Sequence, residues 1–359
     1  MRAIAVVVTT NISSSSQSGK EFLDLALSAG YEIDYVFIAS VRKVNPATYL
    51  GEGHLSFLSE VIKKIKPEKV LINKDLSARF TRNIQKITQQ QLLDRTELIL
   101  RVFDLHAISF SGKLQVELAQ LRYMSTKLVR GWTHLERQRG GIGLRSGPGE
   151  TQIEVDRRIL RERITSAKRK IAKLRKTRSL NRAARTSHQH FTIAIVGYTN
   201  AGKSTLFNRL TNADAVVKDQ LFVTLDPLSR RICQKSLGSN HVIVTDTVGF
   251  IDKLPGPLME AFASTLEEVV YADLLLHVMD YSDPELTYKR KTVEQMLHTL
   301  GAEKIPRWTI YNKMDLCSDP VFATNDKSIY SISAQENLGV SAIMDAIHTI
   351  SKKGSSHLS

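Results

Sequence analysis

The 359-residue chain predicts an α/β protein, and three observations carry that expectation. Short β-branched runs alternate with helical periods at both ends of the chain. Several of these runs pass directly into glycine-rich or polar turns, as parallel strands do where they hand over to helices. Between the two ends lies a stretch of helical period alone, and it holds the whole +14 net charge. Residues 112–190 carry 20 Lys and Arg against 6 Asp and Glu, and the remainder balances at 30 against 30. The chain therefore divides into an N-terminal α/β domain with a small parallel sheet (1–111), a basic antiparallel two-helix hairpin with its linker (112–190), and a second α/β domain with a mainly parallel sheet (191–359).

In the first part, residues 3–8 read as a strand, being too short for a signal sequence. A helix over 21–28 closes at Gly30, 33–39 is a strand, and a helix over 55–65 stops before Pro67. Residues 70–72, 78–87 and 91–94 follow as strand, helix and short strand. Gly51-x-Gly53 opens one helix; a phosphate-binding reading would rest on a lone G-x-G.

From Lys113 the apolar residues Leu114, Leu118, Leu121 and Leu128 form one helical stripe. A glycine-rich break bearing Arg139 and Arg145 follows. A second long helix begins near Thr151, with a heptad-like seam of Ile153, Leu160, Ile164, Ala167, Ile171 and Leu174. Two such helices make a hairpin arm of about 28 residues, roughly 40 Å long. Off the seam lie Arg157, Arg158, Arg169, Lys173, Lys176 and further basic residues, an excess that favours polyanion binding over a plain solvated face. Residues 179–190 read as a polar linker. Cys233 and Cys317, without metal-ligand spacing, read as two buried thiols of a reducing compartment.

The third part opens with a β-branched strand over 191–196, then Gly197, Tyr198, Thr199, Asn200, Ala201, Gly202, Lys203, Ser204 and Thr205, then a helical run. This is a P-loop in its expected context and points to a Ras-like nucleotide-binding domain. Backbone N–H groups there curl around phosphates, Lys203 reaches their outer oxygens and Ser204 can ligate Mg²⁺. Asp246, in Asp246-Thr247-Val248-Gly249, stands where a carboxylate holds Mg²⁺ through water, and the Gly249 N–H can meet a γ-phosphate. Thr224, in the stretch with Phe222 and Val223, stands where a switch threonine completes the metal shell. Asn312-Lys313-x-Asp315 offers a carboxylate to the two adjacent donors of guanine and so selects GTP and GDP. Ser333, Ala334 and Gln335 can add a backbone contact to the base. Lys203, Thr224 and Gly249 are the residues expected to act in hydrolysis. Asn200 admits two readings, a ligand of K⁺ beside the phosphates or an amide that braces the loop. Phe250 follows Gly249, and a phenyl ring cannot orient water, so intrinsic hydrolysis is expected to be slow until a partner rearranges the site.

These residues together resemble the HflX family of ribosome-associated GTPases. The resemblance rests on Gly147-Pro-Gly-Glu-Thr151, on 197–208, on Thr224-Leu-Asp-Pro227, on Asp246 to Phe250, on the Gly112-Lys-Leu-Gln run and on Asn45-Pro-Ala-Thr-Tyr49, and it covers roughly residues 3–350. The chain departs from the family pattern at Ser146 and Ser111, and no counterpart of the small C-terminal domain of many members is expected. The resemblance implies binding to the large ribosomal subunit through rRNA, with the hairpin tip near the peptidyl-transferase region. It also implies GTP-dependent separation of stalled or idle ribosomes, often under heat stress. A cytoplasmic monomer without stable membrane insertion is expected, peripheral membrane association being left open. Two other classes remain, a GTPase serving RNA modification and an RNA-remodelling protein using ATP at its N-terminal domain.

Overall fold

A computed structural model describes residues 1–9, 15–131, 152–187, 190–213, 221–222, 228–232, 242–252, 255–317 and 326–354. They group into two compact units, Met1–Leu105 with Leu114–Lys170, and His106–Lys113 with Ile171–Ser359.

The first unit is built on a four-stranded parallel sheet of order β2-β1-β3-β4. β1 (Arg2–Thr9) is apolar from Ala3 to Val8 and buried on both faces, as a central parallel strand must be. β2 (Glu32–Ser40), β3 (Lys69–Ile72) and β4 (Leu92–Leu93) flank it. On one face Ile4, Val6 and Val8 pack with Leu55, Leu58 and Ile62 of α2 (Glu52–Ile65) and Ile84 of α3 (Ala78–Thr88). α1 (Ser15–Ser28) approaches β1 closely: a Cβ at Gly19 would stand 3.3 Å from Val7 Cγ1. The sequence reading has no element over α4 (Arg95–His106), a helix whose Leu98, Ile99, Leu100, Val102 and Phe103 are all buried. Apolar residues on several sides blur the helical period there.

α5 (Phe110–Gly131) buries the expected Leu114, Leu118 and Leu121, widened by Val116 and Ala119. α6 runs Gln152–Ser187, so the linker expected from residue 179 is helical as far as Ser187. Leu, Ala and Arg in that stretch are strong helix formers. The helix has 36 residues, about 54 Å at 1.5 Å per residue, longer than the arm anticipated. Along it Ala167 and Ile171 are buried and Leu160, Ile164 and Leu174 half-buried, while Arg158, Arg161, Arg163, Lys168, Arg169, Lys170, Lys173 and Lys176 are exposed.

The second unit carries a six-stranded sheet of order β10-β9-β8-β5-β7-β6. Its strands are β5 (Phe191–Gly197), β6 (Leu228–Arg231), β7 (Val242–Asp246), β8 (Leu274–Asp280), β9 (Arg307–Asn312) and β10 (Ile329–Ser331). All pairs are parallel except β6 with β7. Ile193, Ile195, Val244, Leu276, Val278 and Ile310 meet Leu206, Phe207 and Leu210 of α7 (Lys203–Thr211) and Val340, Ile343 and Ile347 of α10 (Val340–Gly354). α8 (Gly256–Val270) and α9 (Leu286–Thr299) complete the unit, and Arg175 of α6 pairs with Glu267 of α8 at 3.1 Å. Cys317 is half-buried rather than buried, because it follows the exposed Asp315 and Leu316 of the 3-10 turn Met314–Leu316; Cys233 lies outside the described residues. Among the described residues no helix is long and apolar enough to cross a membrane.

Candidate nucleotide-binding site

The carboxyl ends of β5, β7, β8 and β9 gather the polar signatures, the position at which doubly wound sheets hold ligands. β5 ends at Gly197 and the chain turns through Asn200, at φ +61°, and Gly202, at φ +89°, into α7. A Cβ at Gly202 would lie 2.1 Å from Asn312 Nδ2, so the turn needs glycine for its conformation and for the close approach of β9.

Lys203 opens α7, yet only 6 % of it is exposed. Its Nζ donates to the Tyr198 carbonyl at 2.7 Å. Burial, with Lys313 nearby, pulls its pKa down to about 8 against the opposing pull of Asp246. A cation so placed gains most from an anionic ligand. Ser204 Oγ donates to Asp246 Oδ2 at 2.6 Å, and Asp246 is fully buried at the end of β7. A hydroxyl and a carboxylate side by side are hard oxygen donors, the chemistry that suits Mg²⁺ beside phosphates. Thr247 Oγ1 donates to the Ile195 carbonyl at 2.6 Å, fixing the following residues against β5. Gly249 has no room for a side chain: a Cβ would stand 2.7 Å from Thr199 Cγ2 and 2.9 Å from Lys203 Nζ. The Thr199 hydroxyl is buried without a hydrogen-bond partner. Ala201 and Val248 are buried and Thr205 half-buried.

At β9, Asn312 Nδ2 donates to the Ala201 carbonyl and its Oδ1 accepts the Ala334 N–H, both at 2.9 Å. The amide thus ties the phosphate loop to the loop of Ser333, Ala334 and Gln335, and both its ends are spent on backbone. Lys313, at φ +63°, pairs with Asp280 at 2.8 Å, and the Asp315 carboxylate is exposed. Arg209 of α7, which the sequence reading does not single out, donates to the carbonyls of Ala334 (3.0 Å) and Gln335 (2.7 Å). No spacing in the sequence signals that link, which spans 125 positions. Phe222 is buried at φ +59°. Val223, Thr224, Arg139 and Arg145 lie outside the described residues. Of the remaining basic candidates, Arg157 is half-buried on α6, and Arg158, Arg169, Lys173 and Lys176 are exposed there.

Three family models match the chain. The GTP-binding GTPase N-terminal model covers 16–104, the GTP-binding GTPase middle region 106–185, and the 50S ribosome-binding GTPase model 192–313. The GTPase HflX of Caldanaerobacter subterraneus subsp. tengcongensis is 45 % identical over 346 residues, which span 96 % of this chain and 79 % of the relative. The GTPase HflX of Escherichia coli is 43 % identical over 333 residues, 91 % of this chain and 78 % of the relative. A GTP-binding protein of Sulfolobus solfataricus, solved in complex with GDP, shares the fold with a TM-score of 0.52 at 21 % identity, over 98 % of this chain and 99 % of the other. The depth and extent of the match to the curated relatives agree with the chemistry of the P-loop and the Asn312–Asp315 motif: the chain belongs to the HflX family of GTPases, and it binds and hydrolyses GTP.

Proposed function

We propose that this GTPase binds the large ribosomal subunit and separates stalled or idle ribosomes, with slow intrinsic hydrolysis that the subunit stimulates. The observation that carries the reading is the solvent-facing row Arg169, Lys173 and Lys176 on α6, within the segment that holds all of the net positive charge. Such a row suits rRNA phosphates, and the family model that matches the separate segment 192–313 is described as that of a 50S ribosome-binding GTPase. In this reading the basic hairpin 112–190 serves RNA, with Arg139, Arg145, Arg157 and Arg158 as further contacts, and 191–359 serves the nucleotide.

In the nucleotide site, the backbone of 197–205 cradles the phosphates and Lys203 neutralises them. Ser204 and Asp246, with Thr224, would hold Mg²⁺ there, and Gly249 would present its N–H to the γ-phosphate. The bound ion supplies charge neutralisation to the separating phosphates. Asp315 reads guanine, with Ser333, Ala334 and Gln335 behind the base. Asn200, in the left-handed conformation beside the phosphates, is the candidate for K⁺. Action on ribosomes implies a cytoplasmic protein.

Sedimentation with purified large subunits and a non-hydrolysable GTP analogue tests the reading. Wild-type protein should co-sediment with a steep salt dependence, and GTP turnover should rise about tenfold or more with subunits. Replacing Arg169, Lys173 and Lys176 by Glu should weaken binding and flatten the salt slope. Unchanged affinity and slope in that variant would remove the RNA-binding role of α6. Turnover indifferent to subunits would remove the stimulation.

A further inference from the structure

Tyr198, the second residue of the phosphate loop, is tied to three functional elements at once. Its carbonyl accepts Lys203 Nζ at 2.7 Å and the Ala201 N–H at 3.4 Å. Its Oη accepts the Asp252 N–H at 2.9 Å. On either side of it the backbone is zipped to the segment after Gly249: the Phe250 N–H donates to the Gly197 carbonyl at 3.1 Å and the Thr199 N–H to the Phe250 carbonyl at 2.8 Å. Lys289 Nζ of α9 lies 5.1 Å from the centroid of the Tyr198 ring, and Lys289 is ion-paired with Asp283. Tyr198 as a residue is buried, at 6 % exposed.

A phenyl ring would fill that space and stack under Lys289 equally well. Only the hydroxyl of tyrosine can accept the Asp252 N–H, two residues beyond the phenylalanine that replaces a water-orienting glutamine. We propose that Tyr198 is a positioning residue for GTP hydrolysis: its hydroxyl docks the 249–252 segment on the phosphate loop and so holds the Gly249 N–H where the γ-phosphate arrives. The lysine that grips the phosphates and the segment that reads the γ-phosphate then share one anchor, steadied from α9 by a cation–π contact. The inference rests on the phosphate-loop assignment above.

GDP carries no γ-phosphate, and this separates positioning from plain packing. In Tyr198→Phe, GDP affinity should stay within twofold of wild type. Affinity for a non-hydrolysable GTP analogue and kcat should each fall about fivefold, the size of one neutral hydrogen bond. Lys289→Met, outside the phosphate loop, should shift the same GTP-to-GDP ratio in the same direction by about twofold, and it keeps the test available should Tyr198→Phe not fold. Equal losses of GDP and GTP analogue would make Tyr198 a residue that only shapes the loop. No change in either variant would make it packing. In both cases the proposal falls. Lys203→Ala serves as the separate control, since continued binding of both nucleotides by that variant would overturn the site assignment itself, whatever Tyr198 does.

Discussion

Each of the two sheets buries a charged group beyond the carboxyl end of a parallel strand, and the two groups are treated in opposite ways. In the N-terminal unit Asp94 follows β4 and is 1 % exposed. Its Oδ2 accepts Lys127 Nζ at 2.7 Å and Tyr123 Oη at 2.6 Å, and its Oδ1 accepts the Glu97 N–H at 3.0 Å. The neighbours register the cost: burial, then Asp94, push the Glu97 carboxyl and the Tyr123 phenol above their ordinary ranges. In the second unit Lys203 follows β5 and is also buried, but its hydrogen-bond partner is a neutral carbonyl. Burial leaves its ammonium less stable than in water, with a pKa of about 8. A buried charge that the chain satisfies itself is a clasp, here fastening α5 to the end of the first sheet. A buried charge left short of counter-charge is a receptor, completed by an anion from outside.

The sharpest break of this comparison is Lys203→Ala. If Lys203 is the receptor, GDP and GTP affinity should fall on the order of a thousandfold by calorimetry, the cost of truncating one partner of a buried charge pair. The unfolding midpoint of the nucleotide-free protein should not drop, since a poorly compensated charge has gone. A lower midpoint with affinity intact would make Lys203 a clasp after all.

Asp94→Ala makes the reciprocal test. It takes the carboxylate from Lys127, whose Nζ keeps for hydrogen bonds only the Leu76 carbonyl at 2.7 Å and the Thr81 hydroxyl at 3.5 Å, and chemical denaturation should show a loss of about 3 kcal/mol, the low end for a broken buried pair. The low end applies because Lys127 keeps 20 % of its side-chain surface in water. GDP affinity should not change. A variant as stable as wild type would show that Asp94 fastens nothing.

The smallest effect is one of pH. The folded, nucleotide-free protein holds Lys203 at about 8, below the 10.5 of an ordinary lysine. Below pH 8 the group is charged folded and unfolded, and it adds no pH dependence. Between about 8 and 10.5 the unfolded chain binds the extra proton, so this group makes stability rise with pH. If Lys203 grips phosphate as proposed, binding needs the ammonium, and GDP affinity should instead fall through the same window, by up to about tenfold per pH unit. The difference between wild type and Lys203→Met isolates the contribution from other lysines and tyrosines. Affinity flat from pH 7 to 9.5 would show that the lysine stays charged without its ligand.

Contiguous features were legible in the sequence, and features that need two distant segments were not. The phosphate loop is one unbroken stretch whose strand and helix flank it, so residues 191–210 declare both their structure and their chemistry. α4 escaped because burial on several sides erases the period that marks an amphipathic helix. The extension of α6 to Ser187 is not legible from polarity alone, because Arg and Ala are strong helix formers even in a stretch polar enough for a linker.

The sequence by itself determined the class of the fold, the unequal placement of charge and the glycine-rich loop that joins β5 to α7. These follow from local rules: alternation, period, glycine conformation and net charge. The tertiary structure alone decided which distant groups touch. It set Ser204 against Asp246, 42 positions on, and Asn312 between Ala201 and Ala334. It hung Asp252 on the Tyr198 hydroxyl and sealed Asp94 with Lys127. The reason is physical. A side chain's propensity is a property of its neighbours along the chain, whereas its burial, its partners and its charge state depend on what the folded sheet brings beside it.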